Sequence, residues 1–304
     1  MNMKYLGIDS GGTKTSFCLC DGFFNVLGEY EAEGCYYPVT GKEGITEILQ
    51  KGIEMCIKKS GAGINGIKAQ CGLPVYGELD SFMSDLPEIA AGLPIPVNFC
   101  NDAHICHAGA LGGSPGITVI AGTGSIGFGV DETGDTARSG GFGPEIGGDE
   151  GSAHFIGLRL IQKFTRQSDL REERTFLYGE GKKSLGLKND MDIYAYMIEK
   201  IKMNRKDIAA LAVLADKTAR LGDIECKKIF VEAAYELCLL AAAVKKQLNF
   251  ENTPVKVSYT GGVYKAGDLI LPELSGLLAK NGMALIDPKF PPVIGACILA
   301  KNSI

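Results

Sequence analysis

Hydrophobic and polar residues alternate at the start of the chain in a pattern that predicts three short strands. These strands are KYLGID, TSFCLC and FNVLGEYE, separated by the glycine-rich segment SGGTK and by a turn at Asp21-Gly22. A P-loop or a Rossmann unit would continue from its glycines into a helix, whereas the residues after SGGTK alternate with period two. The glycine-rich segment is therefore predicted to be a hairpin turn between two strands.

The rest of the first half has the pattern of an α/β domain. Residues 44–59 carry apolar side chains at helical spacing, and residues 67–73 and 96–100 have the pattern of strands that end at polar or glycine turns. Asp102 follows the second of these strands and precedes a helical stretch. The residues alone leave open whether Asp102 is a helix N-cap or a catalytic group.

The strand and turn pattern starts again in the second half. After the segment 112–116, an apolar strand at 117–121 leads into the turn Gly122-Thr-Gly-Ser125, and a second strand follows at 126–130. A strand, a turn that combines glycine with hydroxyl residues, and a further strand thus occur twice. We therefore expect a duplicated scaffold in which the two turns face one another across a cleft.

Most of the remaining chain is predicted to be helical. Residues 152–249 include a long periodic helix at 225–248 whose alanines should be buried. A strand is expected at 255–260, followed by a turn at Gly261-Gly262 and a helix at 269–280.

The 304 residues are enough for two hydrophobic cores, and the segment 112–116 is the expected boundary between them. The short apolar helix that starts at residue 292 is expected to pack on the first domain. The predicted domains are residues 1–112 joined by the helix 292–304, and residues 113–291.

Composition and charge restrict the class of partner. The net charge is −5, and no block of lysine or arginine is longer than a pair, so nucleic acid and anionic membranes are not predicted partners. The chain enters an apolar strand within its first residues, which leaves no room for a signal peptide. Its longest helical apolar run, residues 238–244, is far shorter than the ~20 residues that span a bilayer. We expect a cytoplasmic protein whose partner is a small molecule.

The ten cysteines are scattered and form no C-x-x-C pair, so the sequence does not indicate disulfides. Cys18 and Cys20 fall on one face of a predicted strand and are expected to be small buried residues. A second group contains Cys100, His104, Cys106 and His107. The spacing of these residues matches no zinc pattern, so we predict no metal site there.

Both glycine turns are suited to hold phosphate. Glycine lets backbone N–H groups converge on an anion, because it allows close approach and positive φ angles. Thr13, Thr123 and Ser125 add hydroxyl donors, and Lys14 adds a positive charge. Either turn alone is also an ordinary hairpin turn, so it is the repetition that indicates a nucleotide. The candidate residues are Gly11, Gly12, Thr13, Lys14, Gly122, Thr123, Gly124 and Ser125.

Asp9 ends the first strand beside the first glycine turn. Its carboxylate would suit Mg²⁺ held through water, because Mg²⁺ keeps much of its hydration shell. An aspartate that stabilises an Asx-turn is the alternative.

The densest glycine segment is SGGFGPEIGGDEGS at residues 139–152, which contains three acidic residues. It combines a flexible backbone with hydrogen-bond acceptors, which a polyol ligand requires. A surface Ω-loop is the alternative.

Four segments in this order resemble the superfamily of acetate and sugar kinases, heat-shock chaperones and actin. They are GIDSGGTKT, AGTGS, GGFGPEIGGDEGS and SYTGGV. The third is similar to the GGWG…GDEGS sugar loop and points to the N-acetylglucosamine kinase branch of the BadF/BadG/BcrA/BcrD ATPase family. The likeness covers nearly the whole chain. It implies an α/β fold of two ribonuclease H-like (actin-like ATPase) domains, ATP and Mg²⁺ as cofactors, and a homodimer.

The resemblance also implies roles for individual residues. Asp102 aligns with the general base that takes the proton from a sugar hydroxyl as it attacks the γ-phosphate. Thr13 and Thr123 align with nucleotide phosphate contacts. The residues that align with sugar contacts are Gly141, Phe142, Gly143 and Asp149, and those expected to border the adenine are Ala219, Gly222, Gly261 and Gly262. The implied reaction phosphorylates an amino sugar at O6, such as N-acetylglucosamine, glucosamine or N-acetylmuramic acid.

Three departures from the family pattern leave the identity of the sugar open. Phe142 replaces a tryptophan, the loop has one more residue at Gly147-Gly148, and residues 34–41 lack the asparagine that contacts the sugar in related kinases. Two other functions also remain. One is an ATPase that activates a radical dehydratase or reductase through an iron–sulfur cluster shared by two subunits, and the other is a non-catalytic sugar sensor.

Overall fold

The computed structural model describes residues 3–303, which divide into two compact units. Unit 1 contains residues 3–114 and 287–303, and unit 2 contains residues 115–286. In chain order, the strands and helices are β1 Lys4–Ser10, β2 Lys14–Cys20, β3 Val26–Glu33, α1 Tyr37–Ser60, β4 Ile67–Leu73, α2 Asp80–Ala91, β5 Val97–Asn101, α3 Asp102–Leu111, β6 Gly116–Ala121, β7 Ser125–Val130, β8 Thr136–Gly140, α4 Ala153–Ser168, α5 Phe176–Leu185, α6 Asp192–Ala195, α7 Arg205–Ala210, α8 Ala212–Arg220, α9 Ile224–Gln247, β9 Val255–Thr260, α10 Leu271–Lys280, β10 Met283–Leu285 and α11 Pro292–Asn302.

Unit 1 is built on a five-stranded sheet in the order β3-β2-β1-β4-β5. The first three strands form an antiparallel meander, whereas β4 and β5 run parallel to β1. Alternate residues of β2 enter different cores, as the period of two requires. Phe17 packs with α1, where Gly52 has no side chain and leaves room for the ring.

The opposite face of the same sheet is covered by α11. Cys18 and Cys20 of β2 are fully buried there, with their Sγ atoms 3.5 Å apart, as the alternation predicts. Gly7 of β1 lets α11 approach closely, because a Cβ at this position would lie 2.9 Å from the backbone nitrogen of Cys297. The C-terminal helix therefore packs directly against the strand that carries Asp9.

Unit 2 repeats the strand arrangement of unit 1. Its sheet has the order β10-β9-β6-β7-β8, in which β6, β7 and β8 are antiparallel while β9 and β10 run parallel to β6. The long helix α9 buries Ala233, Ala234 and Ala241 as predicted. Gly127 of β7 accommodates this helix, since a Cβ there would lie 3.1 Å from the carbonyl oxygen of Leu240. The expected duplication of the scaffold is therefore present in the order of the strands.

Three elements were not predicted from the sequence: α2, β8 and β10. Helix α2 buries only Phe82 and Ile89 and contains Pro87, so its apolar periodicity is weak. Strands β8 and β10 are short and lie at the edges of the unit 2 sheet. Helix α1 also starts earlier than the predicted residue 44, because a first turn from Tyr37 joins it across a kink at Gly41.

Across residues 3–303, the helices lack the combination of length and apolar character that crossing a membrane requires.

Candidate active site

The first glycine turn connects β1 and β2 in unit 1. Four residues separate the paired Ser10 and Thr15, and the Gly11 N–H donates to the Lys14 carbonyl oxygen at 3.0 Å. Gly12 and Thr13 at the tip are exposed. The Lys14 ammonium pairs with Glu31, which raises the pKa of Lys14. The tip therefore presents backbone and a hydroxyl group to solvent beside a lysine that already has a carboxylate partner.

Two aspartates lie near one edge of the unit 1 sheet, where the parallel strands β1, β4 and β5 end. Asp9 pairs in register with Gly72, and Gly72 pairs with Cys100. With neighbouring strands about 4.8 Å apart, Asp9 and Cys100 are separated by roughly 10 Å. Asp102 follows two residues after Cys100, so the fold brings both predicted carboxylates to this edge.

Asp102 is not the N-cap of α3. The cap is Asn101, whose side-chain oxygen accepts a hydrogen bond from the Ala103 N–H at 3.0 Å. Asp102 is the first residue of the helix and is half-buried. The capping alternative for Asp102 is therefore wrong, because Asn101 is the N-cap of α3.

Asp9 is a buried carboxylate whose ionised form a bound cation would stabilise. Burial raises the pKa of Asp9 to about 6, against the opposing effect of the Lys14 charge. Carboxylate oxygens are ligands that Mg²⁺ prefers, and a nearby cation would offset the cost of burying this charge. The residues present thus fit Mg²⁺, and Asp9 is the residue that would hold it, directly or through water.

We expect Asp9→Asn to stabilise the ligand-free protein. The pKa of about 6 lies above the ordinary value of 3.8, so the ionised carboxylate destabilises the folded state by about 2–3 kcal/mol at neutral pH. That cost is absent below the ordinary pKa and complete above pH 6. Urea unfolding at pH 7.5 with EDTA should give a higher free energy of unfolding for the variant. The gain should fade towards pH 4, and equal stability at pH 7.5 would contradict this explanation.

Burial favours the protonated thiol form in the cysteine and histidine group near Asp102. Burial raises the pKa of Cys100 to about 12 and raises that of Cys106 well above its usual range. Within residues 3–303, no three His, Cys, Asp or Glu side chains are grouped so that they could hold a metal ion. The thiolate is the form of cysteine that binds metal, and burial disfavours the thiolate at Cys100 and Cys106.

The second glycine turn connects β6 and β7 in unit 2 and is joined to the start of α4. Three residues separate the paired Ala121 and Ser125. The backbone N–H groups of Ala153 and His154 donate to the carbonyl oxygens of Gly122 and Thr123, at 2.9 and 3.3 Å. Thr123 is exposed. The turn and helix α4, which follows the glycine segment 139–152, are therefore joined by hydrogen bonds.

Ser125 and Asp149 are used within this structure. Both are buried, and the Ser125 N–H donates to Asp149 Oδ1 at 3.2 Å while its hydroxyl donates to the Glu150 carbonyl oxygen at 2.6 Å. The other carboxylate oxygen of Asp149 pairs with Arg205. Asp149 therefore bonds the glycine segment 139–152 to the second glycine turn. The residue pattern did not indicate this connection.

The glycine segment starts as the end of β8 and continues as a compact loop. Gly141 and Gly143 have φ angles of 75° and 83°, which favour glycine, and the Gly148 N–H donates to the Gly143 carbonyl oxygen at 2.9 Å. Phe142 lies between the two glycines, and 71% of its surface is exposed. The loop thus presents an aromatic ring on a backbone closed by its own hydrogen bond.

The four residues expected near adenine lie on two neighbouring segments of unit 2. Arg220 connects these segments, because its guanidinium donates to the Ala266 carbonyl oxygen at 2.9 Å. Ala219 is fully buried, whereas Gly222, Gly261 and Gly262 are exposed. Ala219 could therefore affect a ligand only indirectly, through the residues that cover it.

Arg205 is a residue at the second glycine turn that the sequence pattern did not indicate. It is the first residue of α7, and its guanidinium lies over Gly124 of the second glycine turn. No motif marks it, because Arg205 lies far along the chain from both segments that it contacts. Only the tertiary packing of α7 on α4 brings it to the turn.

Both units have the same sheet order, and in each a turn of glycine and hydroxyl residues follows the first strand. They are two ribonuclease H-like domains of the actin-like ATPase type. The chain belongs to the BadF/BadG/BcrA/BcrD ATPase family, whose sequence profile matches residues 6–300.

Similar proteins include two curated kinases and a solved structure. The chain is 33% identical over 307 residues to the N-acetylmuramic acid/N-acetylglucosamine kinase of Clostridium acetobutylicum, and 99% of each chain is covered. It is 28% identical over 315 residues to the N-acetyl-D-glucosamine kinase of Dictyostelium discoideum, with 98% of each covered. A candidate N-acetylglucosamine kinase from Chromobacterium violaceum has a similar structure, with a TM-score of 0.76, 23% identity, and 98% of this chain and 99% of that chain covered.

Proposed function

We propose that this protein is an ATP-dependent kinase that transfers the γ-phosphoryl group of ATP to O6 of an amino sugar, N-acetylglucosamine or N-acetylmuramic acid. The observation that carries the proposal is the 33% identity, over 99% of both chains, to a kinase named for both sugars. The exposed glycine turns and the glycine and aromatic loop of unit 2 support it, because they are suited to phosphate and to a polyol.

Asp102 is the proposed general base. Its carboxylate would accept the proton of the sugar hydroxyl as that oxygen attacks phosphorus. Because Asn101 caps α3, Asp102 can serve this role without weakening the helix. Mg²⁺ bound with ATP would neutralise charge on the phosphate oxygens, and Asp9 is the residue proposed to hold it.

The proposed phosphate contacts are the exposed tips of the two glycine turns. Their backbone N–H groups and the hydroxyls of Thr13 and Thr123 are donors of the kind that bind phosphate oxygens. Lys14 would have to leave Glu31 or bind phosphate alongside it. The proposed nucleotide-binding residues are Gly11, Gly12, Thr13, Lys14, Gly122, Thr123, Gly124, Ser125, Ala219, Gly222, Gly261 and Gly262.

The loop around Phe142 is the proposed sugar site. An exposed aromatic ring provides an apolar face for the C–H groups of a sugar, while the backbone of Gly141 and Gly143 provides donors and acceptors for hydroxyl groups. Asp149 completes the proposed set, with a carboxylate that also contacts Ser125 and Arg205.

The cysteines do not favour an activator that shares an iron–sulfur cluster between subunits. Such a cluster needs thiolates at a subunit surface. All ten cysteines lie within the described residues, and eight are buried while Cys100 and Cys106 are half-buried. The homodimer implied by the family resemblance and the cytoplasmic location expected from the sequence pattern stay predictions.

The test is a coupled assay of ATP consumption with N-acetylglucosamine, N-acetylmuramic acid, glucosamine and glucose. We expect consumption with the first two sugars well above the sugar-free rate, because the relative named for both is similar over its full length. Proton-coupled phosphorus NMR of the product then identifies the acceptor, since a phosphate ester at O6 is split by two protons and one at a ring hydroxyl by one. Consumption that no sugar stimulates would contradict the proposal.

A further inference from the structure

The second glycine turn of unit 2 lies against an ion pair between Asp149 and Arg205. A Cβ placed on Gly124 would lie 2.6 Å from Asp149 Oδ1 and 2.8 Å from Oδ2, and it would also collide with the Arg205 guanidinium. Gly124 therefore has no room for a side chain, because the ion pair occupies that space. The turn proposed to bind phosphate thus has a guanidinium as its immediate neighbour.

The two partners of this ion pair differ in exposure. Asp149 has 2% of its side chain exposed, whereas Arg205 has 42% exposed. A guanidinium carries five N–H donors, and the contact with Asp149 uses the Nη2 group. Arg205 can therefore keep the buried carboxylate paired and still present donors to an anion at the surface of the turn.

A helix cap and a close helix–helix contact hold the start of α7, where Arg205 lies. The Asn204 side chain caps α7 by accepting from the Lys206 N–H at 2.9 Å. Gly157 of α4 lets α7 pack closely, because a Cβ there would collide with the Ile208 carbonyl oxygen. Since α4 is itself bonded to the turn, the guanidinium and the turn belong to one connected structure.

Arg205 also sets the charge next to the turn. Burial, and after it the Arg205 charge, lower the pKa of His154, whose backbone N–H donates to Thr123. The lowered pKa favours the neutral form of His154, whereas the Arg205 guanidinium stays charged.

We propose that Arg205 contacts a phosphate of the nucleotide bound at the turn 122–125, and that Asp149 holds its guanidinium in place for this contact. The proposal rests on the ATP-dependent function proposed above and adds a residue that no sequence motif marks. A planar guanidinium matches phosphate oxygens in two-point geometry, and a fixed donor near the transferring group stabilises the charge that develops there.

The test compares Arg205→Gln with Arg159→Gln in the full-length protein. Arg159 is a matched control, because it also pairs with a carboxylate, Glu232, and has 44% of its side chain exposed. Calorimetry with Mg²⁺ and a non-hydrolysable ATP analogue, without sugar, should give affinity lowered roughly 10- to 100-fold for Arg205→Gln, the usual worth of a hydrogen bond to a charged group. In steady-state assays with sugar, kcat/KM should fall roughly 10²- to 10³-fold. Affinity within twofold of the Arg159→Gln control would overturn the proposal.

Further variants separate phosphate contact from a structural role. If Arg205 only neutralises Asp149, the double variant Asp149→Asn with Arg205→Gln should regain affinity for the ATP analogue, and this result would overturn the proposal. We expect no recovery. Arg205→Lys keeps the charge and the pair but lacks the planar geometry, so it should fold and bind with intermediate affinity, whereas wild-type affinity would exclude two-point contact.

These measurements also distinguish this inference from the proposed function. Nucleotide binding is measured without a sugar, so nucleotide affinity that does not depend on Arg205 overturns the role of Arg205 even when the sugar is phosphorylated. Arg205-dependent binding in a protein that phosphorylates no sugar would instead contradict the proposed acceptor.

Discussion

The Asp102→Asn variant is expected to turn over roughly 10²- to 10⁴-fold more slowly than the wild type, while its affinity for ATP stays within about twofold. Asparagine keeps the shape of the side chain but cannot accept the proton of the sugar hydroxyl. The fold should be preserved, because the N-cap bond of α3 comes from Asn101 and not from Asp102. The measurements are kcat with saturating sugar and ATP, and the dissociation constant of the ATP analogue by calorimetry.

Asp80→Asn is the matched control for this experiment. Asp80 is likewise the first residue of a helix in unit 1, here α2, but it is exposed and has no proposed role in the reaction. Its replacement should leave kcat unchanged and should reproduce any general effect of removing a carboxylate from a helix start. If both variants keep wild-type turnover, Asp102 is not the base. If both lose it equally, the loss at Asp102 comes from helix destabilisation.

Gly261→Ala is expected to cause the second large effect, on both stability and nucleotide binding. Gly261 has a φ angle of 116°, which an L-residue rarely adopts. Its added Cβ would collide with the Ala121 carbonyl oxygen and would lie 3.0 Å from the Gly122 nitrogen, at the base of the second glycine turn. The backbone conformation alone should lower the free energy of unfolding by about 1–3 kcal/mol, and the collision should add to this. Displacement of the turn should raise KM for ATP at least about tenfold.

The neighbouring Gly262→Ala variant tests whether the stability loss comes from this geometry. A Cβ on Gly262 meets no atom within 4 Å, so its free energy of unfolding should stay within about 0.5 kcal/mol of the wild type. Thermal and urea unfolding of the two variants measure the difference. Equal stability of Gly261→Ala and Gly262→Ala would show that the turn after β9 adapts to a side chain. The predicted collision with Ala121 would then be wrong.

The residue pattern alone predicted the features that depend on local geometry. The period of two after SGGTK distinguished a hairpin from a P-loop, and β1 and β2 confirm it. The same period placed Cys18 and Cys20 together, and their sulfur atoms lie 3.5 Å apart. The repeated turn motif predicted the duplication that the two sheet orders contain. These predictions succeed because strand alternation and glycine turns are encoded by neighbouring residues.

The sequence was less informative where partners lie far apart along the chain. It suggested that Ser125 presents a hydroxyl to phosphate and that Asp149 contacts a sugar. It did not indicate that both side chains are buried and bonded to Glu150 and Arg205. The edge strands β8 and β10 were missed because strands that are short and lie at the edge of a sheet carry little hydrophobic pattern.

The two glycine turns were therefore determined by the sequence itself, since each turn is made by consecutive residues. The partners of those turns were decided by the tertiary structure. Asn101 rather than Asp102 caps α3 because capping depends on the backbone angle at which the strand enters the helix. Arg205 reaches Gly124 only because Gly157 lets α7 pack against α4, a contact between segments that no local pattern connects.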